Sequence, residues 1–146
     1  MSDRVAICLF CDDIRQELGN KFSLMGVYGS DLIFPVEPQN FLLPKFAAFV
    51  TISSDLDDAP TRISISGYIP PNRTEIVKLE MPELPPVSHP EDATRAHFRT
   101  VLEFPPFVIG EDGVIEVVIS TERETIRAGR LFVHFVPPSP PPDKTD

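Results

Sequence analysis

Apolar and polar residues alternate along most of this chain, in short runs that end at proline, glycine or acidic residues. In residues 46–52, Phe46, Ala48, Val50 and Ile52 form one apolar face, and the opposite face is also largely apolar. Two apolar faces are typical of a strand at the centre of a sheet, whereas alternating polarity indicates a strand with one face in water. Residues 96–104 show the second pattern.

The same criteria predict about eight strands. They cover residues 5–10, 22–28, 46–52, 63–69, 76–79, 96–104, 114–120 and 125–136. The first run is continuously apolar, so we expect it to be buried on both faces. In the last strand, Ala128-Gly129 predicts a bulge or bend, because glycine weakens a strand unless the geometry requires it.

Short strands without a long helix predict an all-β fold, which we interpret as a two-sheet immunoglobulin-like β-sandwich. A jelly roll or a partly open barrel is the alternative. We expect residues 1–136 to form a single domain, because a chain of about 150 residues buries roughly 70% of its unfolded surface. The proline-rich tail, residues 137–146, is expected to be disordered or polyproline II, and residues 81–90 to be an exposed loop.

The connection between the first two strands has the pattern of a single helical turn. Asp13 is followed three residues later by Gln16, as in a capping box, and Gly19 comes shortly after as a stop. One turn is unstable alone, so Ile14 and Leu18 would have to pack it against the sandwich.

This connection also holds the most charged cluster of the chain. Its members are Asp12, Asp13, Arg15, Glu17 and Lys21, together with Asp31, which follows the next strand. Carboxylates near one turn can bind a hard cation such as calcium, yet the spacing of known calcium motifs is missing. A solvated connection with local ion pairs is the simplest interpretation. A partner-binding site is the third, because binding residues concentrate on loops that a rigid scaffold positions.

The segment from Cys11 to Pro35 resembles the signature of a family of uncharacterised bacterial proteins. In that signature an acidic pair, an arginine, a glutamate and a lysine precede a strand of the Ser-Leu-x-Gly-x-Tyr kind. The matching residues are Asp12, Asp13, Arg15, Glu17, Lys21, Ser23, Leu24, Gly26, Tyr28 and Pro35, and a looser likeness extends over residues 104–120. The resemblance implies a small bacterial domain of unknown function and supplies no catalytic residue.

Charge and hydropathy narrow the classes of partner. The net charge of −9, from 22 acidic and 13 basic residues, disfavours binding to a phosphate backbone, so we expect no nucleic-acid partner. The apolar run near the N-terminus is too short for a signal peptide or a membrane span. We therefore expect a cytoplasmic protein with no membrane partner.

No catalytic or cofactor-binding constellation is evident. Cys8 and Cys11 lie three residues apart on one strand, where side chains point to opposite faces, and neither a second cysteine pair nor histidines at ligand spacing complete a zinc site. We interpret both as buried structural thiols. His97 and His134 have no nameable orienting partner, so we interpret them as structural too. No cofactor and no metal are expected.

The chain has more apolar strand surface than one core needs, with eleven phenylalanines and almost no predicted helix to cover a sheet. We therefore expect an outer face to be covered by another copy of the chain or by another protein. Cover by the chain's own proline-rich loops is the alternative. The functional prediction is a non-enzymatic protein-interaction module of the bacterial cytoplasm. The alternatives are a structural or assembly component, for instance phage-derived, and a small metal-dependent enzyme built on Asp12, Asp13 and Glu17.

Overall fold

The computed structural model describes residues 3–84, 90–140 and 142–143. In these ranges the chain forms eleven strands and one short 3-10 turn. They are β1 (Val5–Glu17), β2 (Lys21–Val27), β3 (Asp31–Phe34), β4 (Phe41–Leu43), β5 (Phe46–Asp55), the turn (Leu56–Asp58), β6 (Ile63–Ile69), β7 (Thr74–Met81), β8 (Arg95–Phe104), β9 (Phe107–Ile109), β10 (Gly113–Thr121) and β11 (Thr125–Phe135).

The strands form two main sheets in a sandwich-like arrangement. The four-stranded sheet has the order β2-β1-β5-β8 and is antiparallel throughout. The five-stranded sheet has the order β3-β11-β10-β6-β7, in which β3 runs parallel to β11. Strands β4 and β9 form a separate antiparallel pair. The predicted all-β, sandwich-like arrangement is confirmed.

The core lies between the two sheets and draws alternate residues from each. Val50 and Ile52 of β5 and Leu102 of β8 are at most 2% exposed, as are Ile115 of β10 and Leu131 of β11. At one end the Phe46 ring contacts Phe10, Tyr28, Phe104 and Phe107, with centroid distances from 5.0 to 5.7 Å. Apolar burial on this scale is the main favourable contribution to folding.

Each of the eight predicted strands corresponds to a strand of the structure. Three further strands were not predicted from the sequence. These are β3, β4 and β9, of three or four residues each. Runs this short show no recognisable period, and each becomes a strand only through a partner distant in sequence, as β3 does beside residues 132–135 of β11.

The predicted helical turn after the first strand is wrong, because the segment is a strand. β1 continues to Glu17, which lies opposite Lys21 of β2. Gly19 and Asn20 have φ angles of 83° and 60°, a conformation that tight hairpin turns use. Pairing with β2 satisfies a whole row of backbone groups, whereas one isolated helical turn would satisfy very few. Gly19 therefore belongs to a hairpin turn and does not end a helix.

The prediction that residues 5–10 are buried on both faces is also wrong. Ala6, Cys8 and Phe10 face the other sheet, but Val5, Ile7 and Leu9 are 54%, 58% and 47% exposed. We call these three residues the β1 stripe. They lie on the outer face of the four-stranded sheet, in which β1 lies between β2 and β5.

The predicted irregularity in the last strand is confirmed as a β-bulge. Val117 lies opposite Gly129 and Val118 opposite Arg127, which leaves Ala128 without a direct partner. A Cβ on Gly129 would lie 2.9 Å from the Cβ of Cys8. Glycine at this position therefore lets β1 approach β11 closely.

Two predicted loop regions are described only in part. Residues 137–140 and 142–143 have no regular secondary structure and are exposed, whereas residues 141 and 144–146 of the predicted disordered tail lie outside the described residues, as do residues 85–89 of the predicted loop. In the parts of the chain that the structure describes, no helix has the length and apolar character needed to cross a membrane.

Candidate functional site: the β1–β2 hairpin

The charged segment is a β-hairpin that continues past the end of the neighbouring strand. β5 pairs with β1 from Val5 to Cys11, and β2 pairs with β1 from Cys11 to Glu17. We refer to residues 12–27 as the hairpin. It is rooted in the four-stranded sheet through the first half of β1, so its residues are carried by a strand of the sandwich and not by a free loop.

A ring contact shows that the hairpin bends toward the sheet. The ring centroids of Phe22 and Phe49 are 5.2 Å apart, although Phe22 lies opposite Gln16 and Phe49 lies opposite Leu9. In a straight strand, Leu9 and Gln16 would be about 23 Å apart at about 3.3 Å per residue. The hairpin must therefore fold back toward the outer face. Cys11 and Ala47, which share that face with the exposed β1 stripe, are buried.

Tyr28 fastens the base of the hairpin. Its hydroxyl donates a 2.5 Å hydrogen bond to Oδ1 of Asp12, and its backbone N–H donates to the carbonyl of Phe10 at 2.8 Å. The Asp12 carboxylate lies across Gly26, which has a φ of 67°, and a Cβ at Gly26 would overlap that carboxylate. Burial and the hydrogen bond to Asp12 both raise the pKa of Tyr28, so its hydroxyl stays a donor at neutral pH.

Four of the predicted site residues share one face of the hairpin. Asp13, Arg15 and Glu17 alternate along β1, and Lys21 lies opposite Glu17. Arg15 approaches Glu17 at 3.9 Å and is 67% exposed. Lys45 lies 3.6 Å from Asp13. Exposed pairs of this length contribute about 0 to 1 kcal/mol, so a partner can replace them at little cost.

A cleft of about 280 Å³ opens at the base of the hairpin. Asp12, Asp13, Lys45 and Glu103 are among its polar lining residues, and Phe46 and Phe104 are among its apolar ones. Lys45 and Glu103 were missed in the sequence analysis. They come to the site through strand register, since Cys11 lies opposite Ala47 and Ala47 lies opposite Glu103. No local pattern in the sequence gives that register.

The structure brings five of the six predicted residues to the hairpin but places Asp31 elsewhere. Asp12 is on the hairpin face opposite to the other four. Asp31 begins β3 in the five-stranded sheet, where it lies 2.8 Å from Nε2 of His134 and accepts a 2.7 Å hydrogen bond from Ser30. These contacts, that of Ser30 first, lower the pKa of Asp31. Asp31 and His134 thus form a pair separate from the hairpin cluster.

The described residues contain no group of three or more histidine, cysteine, aspartate or glutamate side chains arranged to hold a metal ion. The three carboxylates that would build a metal site have separate partners: Asp12 meets Tyr28, Asp13 meets Lys45, and Glu17 meets Arg15. Burial raises the pKa of Cys8 to about 12 and that of Cys11 to about 11, so both are thiols at neutral pH. A thiol is a poor nucleophile and a poor metal ligand.

Comparison with models of protein families found no match, and comparison with curated proteins found none either. The resemblance of residues 11–35 to an uncharacterised bacterial family stays a prediction.

Proposed function

We propose that this chain is a non-enzymatic protein-interaction module of the bacterial cytoplasm, and that it binds its partner through the hairpin. The partner-binding residues are Asp12, Asp13, Arg15, Glu17 and Lys21, with Lys45 and Glu103 at the base. Asp31 is left out because it belongs to a different sheet.

The observation that carries this proposal is that the hairpin is held at both ends while its charged face stays open. Tyr28 holds the base through Asp12 and Phe10, and Phe22 holds the distal part against Phe49. Lys21 and Arg15 remain exposed. A surface that is ordered before binding loses little conformational freedom on binding, which favours recognition by charge and shape.

Capture of a partner with matched variants tests this proposal. The chain would be immobilised as wild type, as Asp13→Ala/Arg15→Ala, and as Lys78→Ala/Glu80→Ala. The control variant removes one cation and one anion of an exposed pair on β7, 3.2 Å apart. We expect wild type and control to retain the same protein, and the hairpin variant to lose it.

Equal retention by all three chains would contradict the hairpin as the binding site. Urea unfolding of each variant separates lost binding from lost folding. Both substitutions of each variant fall on exposed or half-buried strand positions, so we expect unfolding free energies within about 0.5 kcal/mol of wild type.

We further propose that the sandwich has immunoglobulin-like topology. The strand order supports this: the β10–β11 hairpin lies beside the β6–β7 hairpin in one sheet, and β1, β5 and β8 adjoin in the other. After β2, the chain also passes from the four-stranded sheet to the five-stranded sheet, where β3 pairs in parallel with β11. An experimental structure with a different strand order would contradict this assignment.

The β1 stripe favours a second candidate, a structural or assembly component. Three apolar side chains at roughly half exposure on one strand form a surface that another subunit could cover. Light scattering distinguishes the two functions, because an assembly component should form species that grow without limit as concentration rises.

A further inference from the structure

The first half of β1 has a strand partner on one side only. Val5 to Leu9 pair with Ser53 to Phe49 of β5. On the other side, β2 begins to pair at Cys11, and the backbone N–H of Tyr28 donates a hydrogen bond to the carbonyl of Phe10. Among the described residues, no strand pairs with this side of Val5–Leu9, so it is an open sheet edge of five residues.

The direction of the backbone groups on this edge follows from one hydrogen bond. The carbonyl of Phe10 points toward β2 because it accepts from the N–H of Tyr28. In an antiparallel strand, the N–H and C=O of alternate residues point to the same side. Ala6 and Cys8 therefore direct two donors and two acceptors toward the open edge.

In the part of the chain that the structure describes, this edge lacks the charges, prolines and bulges that keep many monomers from pairing through their edges. Natural proteins protect exposed edges with lysine, proline, bulges or inward-pointing charges. The sequence from Val5 to Leu9 is Val-Ala-Ile-Cys-Leu, which contains neither a charge nor a proline, and its pairing with β5 is regular. The β1 stripe runs along the same five residues.

We propose that two copies of this chain associate through this edge, with their β1 strands antiparallel and Ile7 on the two-fold axis. Ala6 of each copy would lie opposite Cys8 of the second copy and exchange backbone hydrogen bonds with it. Val5 would lie opposite Leu9 of the second copy. The two stripes would then join into one apolar patch across the pair.

A second copy is the occupant that the edge fits in both length and chemistry. β2 closes the edge beyond Phe10, so a pairing strand has only five residues to match. The register centred on Ile7 is the one in which all five residues of each copy overlap. The β1 stripe is apolar, so its best partner is an uncharged apolar strand. A second copy supplies such a strand, because Val5–Leu9 carries no charge although the whole chain has a net charge of −9. This pairing uses a different surface from the hairpin and does not depend on the proposed hairpin site.

Sedimentation of the purified chain tests the pairing. We expect wild type to be in a concentration-dependent equilibrium between monomer and dimer. Ile7→Lys would place two ammonium groups opposite each other on the axis, so its dissociation constant should rise at least about tenfold. Leu42→Lys is the matched control, because Leu42 is 60% exposed, close to Ile7 at 58%, and lies on β4. It should dimerise like wild type.

A monomeric wild type at high micromolar concentration would overturn the proposal, and so would an Ile7→Lys chain that dimerises as tightly as wild type. Species larger than a dimer would overturn the closed two-fold pairing. Asp13→Ala/Arg15→Ala should dimerise normally, so loss of partner capture and loss of dimerisation are separate outcomes.

Disulfide trapping tests the register. Ile7→Cys should form a covalent dimer under mild oxidation, because opposed residues of a non-hydrogen-bonded antiparallel pair have Cα atoms about 4.5 Å apart, within the range that a disulfide spans. Leu42→Cys should not. Equal cross-linking of both variants, or none at Ile7→Cys in a sample that sediments as a dimer, would overturn this register.

Discussion

The outer faces of the two main sheets are built differently. On the five-stranded sheet, Glu116 of β10 lies among three arginines: Arg127 at 3.2 Å, Arg73 at 3.4 Å and Arg130 at 3.8 Å. The Arg73 guanidinium also lies over the Tyr68 ring, 4.0 Å from its centroid. Val118, the next β10 residue on this face, is only 9% exposed. Long arginine side chains can cover apolar surface while their charged ends stay in water.

Among the described residues, the four-stranded sheet has no comparable cover over the β1 stripe. Its outer-face residues Val5, Ile7 and Leu9 remain about half exposed, and their β5 neighbours across the strand pair are Ser53, Thr51 and Phe49. The outer face of the five-stranded sheet is therefore covered in part by its own arginines, whereas the β1 stripe stays exposed. The predictions below test this difference, beginning with the largest expected effect.

Gly129→Ala should destabilise the fold most, because it disturbs the contact between the two sheets at the bulge. The added Cβ would lie 2.9 Å from the Cβ of Cys8 and 3.3 Å from the Phe10 ring. Overpacking of this kind costs about 1 to 3 kcal/mol, and the proximity of two backbones leaves little room for relief. We expect a loss of about 2 to 3 kcal/mol in unfolding free energy, measured by urea titration.

Gly29→Ala is the control for that change. A Cβ on Gly29 meets no atom within 4 Å, so its unfolding free energy should stay within about 0.5 kcal/mol of wild type. Equal stability of the two variants would mean that β1 can move away from β11 without loss, and the β1 stripe would then not be held in a fixed position.

Glu116→Gln should have the second largest effect, because it removes the anion from among three cations. The Glu116 side chain is 9% exposed, and hydrogen bonds to charged groups contribute about 1.5 to 3 kcal/mol each. The arginines are themselves 40% to 57% exposed, so water can compensate part of the loss. We expect about 1 to 2 kcal/mol lower stability by urea titration.

Glu80→Gln provides the comparison for Glu116. Glu80 pairs with Lys78 at 3.2 Å but is 65% exposed, so its loss should cost less than about 0.5 kcal/mol. If Glu116→Gln were equally harmless, the arginine cluster would not be what completes this face.

Sequence patterns predicted those parts of the fold in which the local signal and the tertiary structure agree. β5 has apolar residues on both faces and does lie in the middle of its sheet, between β1 and β8. The bulge at Ala128-Gly129 was predicted because glycine in a strand needs a geometric reason, and the close approach of Cys8 is that reason. In both cases, the signal lies in a short local stretch of sequence, although the residues that it packs against are distant.

The failures occur where a distant partner decides. Asp13, Gln16 and Gly19 fit a helical turn equally well in isolation, and only pairing with β2 makes the segment a strand. The apolar run at Val5–Phe10 suggested burial on both faces, because a sequence does not show which face lacks a covering layer. At the site, Lys45 and Glu103 depend on the register of three strands. Asp31 was grouped with the hairpin because it is near in sequence, although it lies in the other sheet.

The smallest expected effect is a pH dependence at the residue that precedes the β1 stripe. The Arg4 side chain is 2% exposed and donates to Oε1 of Glu122 at 2.5 Å and to Oγ1 of Thr121 at 3.1 Å. Burial acts to raise the pKa of Glu122, but the hydrogen bonds from Arg4 and from backbone N–H groups outweigh it and lower the pKa from 4.5 to about 2.

Because the folded state binds this proton more weakly than the unfolded state, the stabilisation by Glu122 is present above pH 4.5 and is lost as the pH falls toward 2. Wild type should therefore lose stability over that interval in urea titrations at stepped pH, by a modest amount because the Glu122 side chain is 31% exposed. Glu122→Gln should be less stable at neutral pH and should show a shallower fall in acid, because its amide does not titrate. Parallel pH curves for the two chains would mean that other partners of Arg4, among them Thr121, Asp58 and Glu124, hold it in place. The start of β1 would then not depend on the Glu122 carboxylate.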